Sequence, residues 1–227
     1  MQLQAPMTDL FNRSKLMILD FYQIPADIPA IQNIQTFFEE CTAKGINPRL
    51  PENRQKFNNN MLDSAGMRYL VSRYGEDRSA MLTGSSIAKE GRTLHMGIDI
   101  FCKDQETIYA PCDGVIVRAS RERQDHSYGY YATIQPDENP GVYIFLGHLS
   151  QDLPVPGPVK EGEVIARIGD YRDNENGGWS RHLHLQIITE LPPAGQAPLG
   201  YSSVADFAAN SQKYPDPTQF FPNWHIQ

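Results

Sequence analysis

From His182 to Ile187 polar and apolar residues alternate without exception, with His182, His184 and Gln186 on one parity and Leu183, Leu185 and Ile187 on the other. A period of two belongs to a β-strand, so one face carries two imidazoles and an amide while the other carries three aliphatic side chains that need a core. The run Leu94 to Ile100 repeats the device: Leu94, Met96, Ile98 and Ile100 alternate with His95, Gly97 and Asp99. Read as one strand, it sends His95 and Asp99 to a common face, with Gly97 leaving open space above the sheet between them. A further histidine, His148, follows Gly147 at the end of the apolar run Val142 to Leu146, where strand is expected to give way to loop.

These patterned strands sit in a longer β-rich stretch. Beyond about Ser79 short β-branched or aromatic runs alternate with Gly, Pro and Asp turns, which predicts a compact antiparallel β-domain over 79–190. The expected strands are 94–101, 108–110, 114–120, 130–135, 142–148, 164–168 and 182–189. Before it, Ile28, Ile31, Ile34, Phe37 and Phe38 follow a helical face within 26–44, stopped by Gly45. A looser stripe of Phe57, Met61, Met67, Leu70 and Val71 predicts a second helix over 53–74. The expected organisation is an N-terminal helical region over 1–78, the β-domain over 79–190, and an irregular tail over 191–227 packed on it with one short helix near 203–210. The fold class is α+β.

Four imidazoles and one carboxylate at strand positions that can converge suggest a metal. Zinc takes nitrogen and oxygen ligands tetrahedrally, and a hydrolytic site uses three protein ligands with the fourth place left for water. Two histidines remain beyond such a set, and a hydrolase needs groups beside the metal to take a proton and to stabilise an oxyanion. A single histidine or aspartate in a strand is more often an ordinary hydrogen-bonded residue than a ligand; the paired spacings H-x-x-x-D and H-x-H are what favour the metal.

Those spacings, together with Gly147-His148-Leu149, resemble the lysostaphin-type (LytM-like) zinc metallopeptidases, whose members commonly cut peptide cross-links in bacterial cell walls. The resemblance runs over about 91–189 and is reinforced by the turns at 109–115 and 157–163. It implies a barrel-sandwich core and a zinc metalloendopeptidase that hydrolyses a peptide bond, with a peptidoglycan-derived peptide as partner. Carried over residue by residue, it makes His95, Asp99 and His184 the zinc ligands and His148 and His182 the catalytic pair. The implied chemistry is water acidified by Zn2+, a histidine as general base, and imidazolium support of the tetrahedral oxyanion. One departure is the segment 174–181, Asn-Glu-Asn-Gly-Gly-Trp-Ser-Arg, bulkier and more charged than the small residues usual there, which is expected to reshape the groove rim.

The net charge of -7 argues against a surface that grips nucleic acid or anionic lipid, since both need a basic patch. No apolar run approaches the roughly 20 residues of a membrane-spanning helix, and charged residues interrupt the first twenty positions, so the expected location is cytoplasmic. Cys41, Cys102 and Cys112 form neither a disulfide framework nor a zinc knuckle, and read as reduced thiols, with Cys102 and Cys112 as small buried residues. Lipoyl and biotinyl carriers share the barrel-sandwich pattern but need a lysine on an exposed hairpin, and 169–178 contains none. The alternative that stands is a metal-binding, non-catalytic recognition or regulatory module of the same fold. Arg73 to Arg78 reads as a salt-bridged connection between helices and sheet, while His126 and His225 are assigned no role.

Overall fold

The structure is a computed structural model that describes residues 34–124 and 126–220. The described residues begin with helix α1, Ile34–Ala43, whose Phe37 and Phe38 are buried. Gly45, at φ +67°, then turns the backbone left-handed and ends that segment. Residues 26–33 of the expected helix lie outside the described residues, as does His225. Helix α2, Pro51–Ala65, starts on a proline and stops at Gly66, φ +64°, where the Met67 N–H caps the Leu62 carbonyl at 2.9 Å. That stop is why the second helix is shorter than its apolar stripe predicts. Leu70–Val71 instead forms strand β1, on the edge of the main sheet.

Two single-turn helices, α3 (Ser79–Leu82) and α4 (Ser86–Lys89), lead into strands β2 (Arg92–His95) and β3 (Ile98–Phe101). The remaining strands are β4 (Thr107–Tyr109), β5 (Gly114–Arg121), β6 (Tyr130–Pro136), β7 (Tyr143–Leu149), β8 (Gly157–Val159), β9 (Val164–Arg167), β10 (His182–Ile188) and β11 (Tyr201–Ser203). Helix α5, Phe207–Lys213, follows. The main sheet is antiparallel in the order β1-β3-β10-β7-β6-β5-β8, and two ribbons, β11-β2 and β4-β9, stand beside it. The architecture is α+β with an antiparallel β-core. Its interior is built from the apolar parity of the patterned strands, with Ile98 and Ile100 of β3 packed against Leu183, Leu185 and Ile187 of β10.

Three local readings are corrected. The run 94–101 is two strands, because the chain changes sheets at Met96-Gly97: β2 pairs with β11, and Met96 N donates to the Gly200 carbonyl at 3.0 Å, whereas β3 belongs to the main sheet. Residues 157–159, read as a turn, pair with β5 as an edge strand. The short helix expected near 203–210 begins only at Phe207, and Ser203 instead ends strand β11, which pairs with β2.

Candidate metal centre

Sheet register assembles the polar face. In an antiparallel pair directly opposed residues point to the same side, and His184 of β10 lies opposite both Asp99 of β3 and Gly147 of β7. His95, at the end of β2, reaches the same point from the small ribbon. Its Nε2 lies 3.1 Å from His184 Nδ1 and 3.5 Å from Asp99 Oδ1, and the latter two atoms are 3.0 Å apart. All three side chains are buried. Zinc bonds of ~2.0–2.1 Å at tetrahedral angles place ligand atoms about 3.3–3.4 Å from one another, so this triangle has the size of one face of a zinc tetrahedron.

Protons support the same reading. The Gln186 Nε2 donates to the Leu199 carbonyl at 3.1 Å, which turns its Oε1 toward His184 Nε2 at 3.0 Å and the Tyr128 hydroxyl at 3.2 Å. His184 must therefore carry its proton on Nε2 and present a lone pair at Nδ1. That lone pair faces a carboxylate oxygen, which is also an acceptor only. A proton on His95 Nε2 or a cation among the three atoms resolves the conflict, and their nitrogen and oxygen donors suit zinc.

Gly97 has a different use from the one its spacing suggested. A Cβ there would stand 2.6 Å from His184 Cε1 and 2.8 Å from the Leu185 carbonyl oxygen. The missing side chain makes room for the His184 ring.

Two more imidazoles flank the triangle. His182 is opposite Phe101, whose ring stacks on it at 4.8 Å, and its Nδ1 donates to the Ser180 carbonyl at 2.6 Å. Its Nε2, 3.6 Å from Asp99 Oδ1, keeps a lone pair. His148 lies within β7 rather than past its end. The pairing of β6 with β7 slips beside it, and its backbone stands at φ +62°. A left-handed non-glycine residue at a bulge costs about 1–3 kcal/mol and re-aims the side chain. Here Nδ1 donates to the Asn176 carbonyl at 2.9 Å, and the ring faces His182 with centroids 4.3 Å apart. Burial, and then the neighbouring His182, hold His148 well below the usual histidine pKa; burial brings His182 down to about 4. Both are neutral near pH 7.

Arg78, which sequence spacing left in a connecting segment, enters the site. Its Nη1 meets Asp99 Oδ2 at 2.6 Å, leaving Oδ1 for the metal face. Burial opposes the charge on Asp99, yet His95 and Arg78 hold its carboxyl well below the ordinary carboxylate range. The segment 174–181 is also more than a rim. Glu175, Asn176, Trp179, Ser180 and Arg181 are buried, and the Asn176 side chain bonds the backbone at Gly169, Gly178 and Trp179. That network fixes the two carbonyls that orient His148 and His182. Over the face opens a groove of about 430 Å³ lined by, among others, Arg92, Glu122, Tyr128, Trp179 and Tyr201, within the size of ordinary ligand clefts.

A buried two-histidine, one-carboxylate set of this size could hold a metal ion, and it sits beside two further imidazoles and an open groove. Residues 93–196 match the model of Peptidase family M23. Among solved structures, the chain is similar to the catalytic domain of the antimicrobial peptidase lysostaphin from Staphylococcus simulans, at 20% identity over 52% of this chain and 80% of that one, TM-score 0.38. It is also similar to a zinc containing peptidase from Vibrio cholerae, at 25% identity over 42% of this chain and 27% of that one, TM-score 0.35. A variant of the catalytic domain of the prophage-encoded M23 protein EnpA from Enterococcus faecalis matches at 20% identity over 48% of this chain and 75% of that one, TM-score 0.37. No curated protein matches the chain. Among the described residues no helix is long and apolar enough to cross a membrane.

Proposed function

We propose that the chain is a zinc-dependent peptidase in which His95, Asp99 and His184 hold the ion, His148 and His182 move the proton, and the substrate is a peptide of the bacterial cell-wall cross-link class. The observation that carries this reading is the triangle of nitrogen and oxygen atoms, 3.0–3.5 Å on each side, flanked by two further imidazoles. The M23 match over 93–196 supports the peptide as substrate class.

Zinc bound there acts as a Lewis acid that polarises the amide carbonyl and makes water a nucleophile near neutral pH. The chain's own part is positioning and proton transfer. Ser180 and Asn176 carbonyls hold the Nδ1–H of His182 and His148, so each ring turns an Nε2 lone pair to the groove. The ring that takes the proton from the attacking water becomes an imidazolium, able to donate to the developing oxyanion and then to the leaving amine. Arg78 holds Asp99 by one oxygen, and Gln186 holds His184 in one tautomer.

The test pairs metal analysis with turnover on Gly-rich and cell-wall peptides, chelator serving as control. His95→Ala and His184→Ala should lose zinc. His148→Ala should keep zinc and lose about 10²–10⁴-fold in rate, the usual share of a general acid–base group. A zinc-loaded wild type that cleaves no peptide of the panel would replace the peptidase reading with the non-catalytic module, and full zinc in the His184 variant would overturn the ligand assignment.

A further inference from the structure

Beside the metal face lies a second cavity of about 30 Å³, walled by Phe37, Phe57, Met81 and Phe101 and lined by two guanidiniums, those of Arg54 and Arg78, and two carboxylates, those of Glu76 and Asp99. One water needs roughly 10–15 Å³ on this scale, so the space suits a group as large as two waters. Arg78, Asp99, Trp179 and His182 line both this cavity and the groove, so the two spaces border the same side chains beside the metal face.

The chemistry of the walls is unusual. Arg54 and Arg78 are 5% and 3% exposed, and Arg54 Nε, Arg78 Nε and Arg78 Nη2 have no hydrogen-bond partner. Their other contacts are local. Arg54 Nη2 donates to the Gly178 carbonyl at 3.0 Å with the guanidinium 4.8 Å over the Trp179 ring. Arg78 Nη1 holds Asp99, the Tyr201 hydroxyl reaches the same guanidinium, and the Glu76 carboxylate pairs with Arg78 Nη2 at 3.7 Å, beyond hydrogen-bond length. Buried polar groups in native proteins are nearly always satisfied, and an unmet charged donor is among the costlier exceptions. Burial also lowers the Arg54 pKa to about 10. What two guanidiniums with spare N–H groups bind best is a planar anion that can accept from a fork, which means a carboxylate.

We infer that this cavity binds the free carboxylate at the end of a peptide chain, placing the last amide beside the metal face. The substrate role rests on the peptidase reading; the ligand chemistry does not. The size of the space restricts the terminal residue to one as small as glycine or alanine.

The deciding experiment is calorimetric titration of the zinc-loaded protein with N-acetylglycine and, at equal ionic strength, with N-acetylglycinamide. The acid should bind at least tenfold more tightly, and Arg54→Met should bring acid and amide to the same affinity, zinc content being measured in parallel. Equal affinity for acid and amide in the wild type would overturn the proposal without recourse to any variant. In turnover, acylated tetraglycine with a free carboxylate should be cut at least tenfold faster than its C-terminal amide. An amidated peptide with a penultimate aspartate that binds as well as the free acid would refute the chain-end assignment in favour of an acidic side chain. Absence of cleavage in every peptide would fail the peptidase reading while the titration still decides the carboxylate site.

Discussion

Gln186 offers a sharp test of how the candidate centre is built. It is 0% exposed, and its amide touches three groups: His184 Nε2, the Tyr128 hydroxyl and the Leu199 carbonyl. Gln186→Leu fills similar space but removes every one of those hydrogen bonds. Each buried group left without a partner costs about 1–3 kcal/mol, so three of them cost about 3 kcal/mol at the least, a large share of the ~5–15 kcal/mol that holds a domain folded. Separately, His184 loses the acceptor that keeps its proton on Nε2. Loss of such a partner typically weakens metal binding about 10–100-fold, or about 1.4–2.7 kcal/mol. Urea unfolding of the metal-free protein reads the first effect, and chelator competition for zinc reads the second. Gln186→Glu, which keeps an acceptor toward His184, should lose stability but hold zinc at least as well as wild type. If Gln186→Leu bound zinc with wild-type affinity, the tautomer of His184 would not depend on this amide and the proton assignment at the centre would be wrong.

Gly97→Ala puts a methyl group against the His184 ring and the Leu185 carbonyl; overpacking of this kind costs about 1–3 kcal/mol. Thermal unfolding should register that loss, and zinc affinity should fall with it because the ring must move. Asp170→Asn breaks the buried pair with Arg181, the residue before His182, at 2.6 Å and should destabilise by about 3 kcal/mol at pH 7. Burial opposes the Asp170 charge, yet the Arg172 and Arg181 guanidiniums hold its carboxyl far below the ordinary value. Its contribution is therefore complete above an unfolded pKa of about 3.9 and lost as pH falls toward the lower folded pKa. Urea midpoints of wild type and variant should differ steadily from pH 7 to about pH 5, and the gap should narrow progressively below about pH 4.

What was legible in the sequence was local. The parity of His182, His184 and Gln186 depends only on strand period, and it does place the three on one face of β10. The approach of His95 to Asp99 was also foreseen, though for a different reason: the chain breaks at Met96-Gly97, and a partner strand about a hundred residues later decides which sheet each half joins. No spacing within 94–101 could carry that information. Arg78 was hidden for the same cause, since a charged residue in a mixed run gives no sign of its buried partner 21 positions away. The bulge that turns His148 depends on how β6 and β7 slip, which alternation does not encode. Residues 174–181 read as a groove rim because they are polar and bulky; Glu175, Asn176, Trp179, Ser180 and Arg181 are nonetheless buried, and the Asn176 and Glu175 side chains satisfy the backbone around them.

The break at Met96-Gly97 also sets who must cooperate. His95 hangs from the ribbon that β2 makes with β11, while Asp99 and His184 belong to the main sheet. An ion coordinated by all three would act as a rivet through two separately laddered layers. Stripping it would then do more than idle the chemistry: it would free the C-terminal ribbon to breathe, making the integrity of residues near Tyr201 a remote gauge of occupancy at the centre.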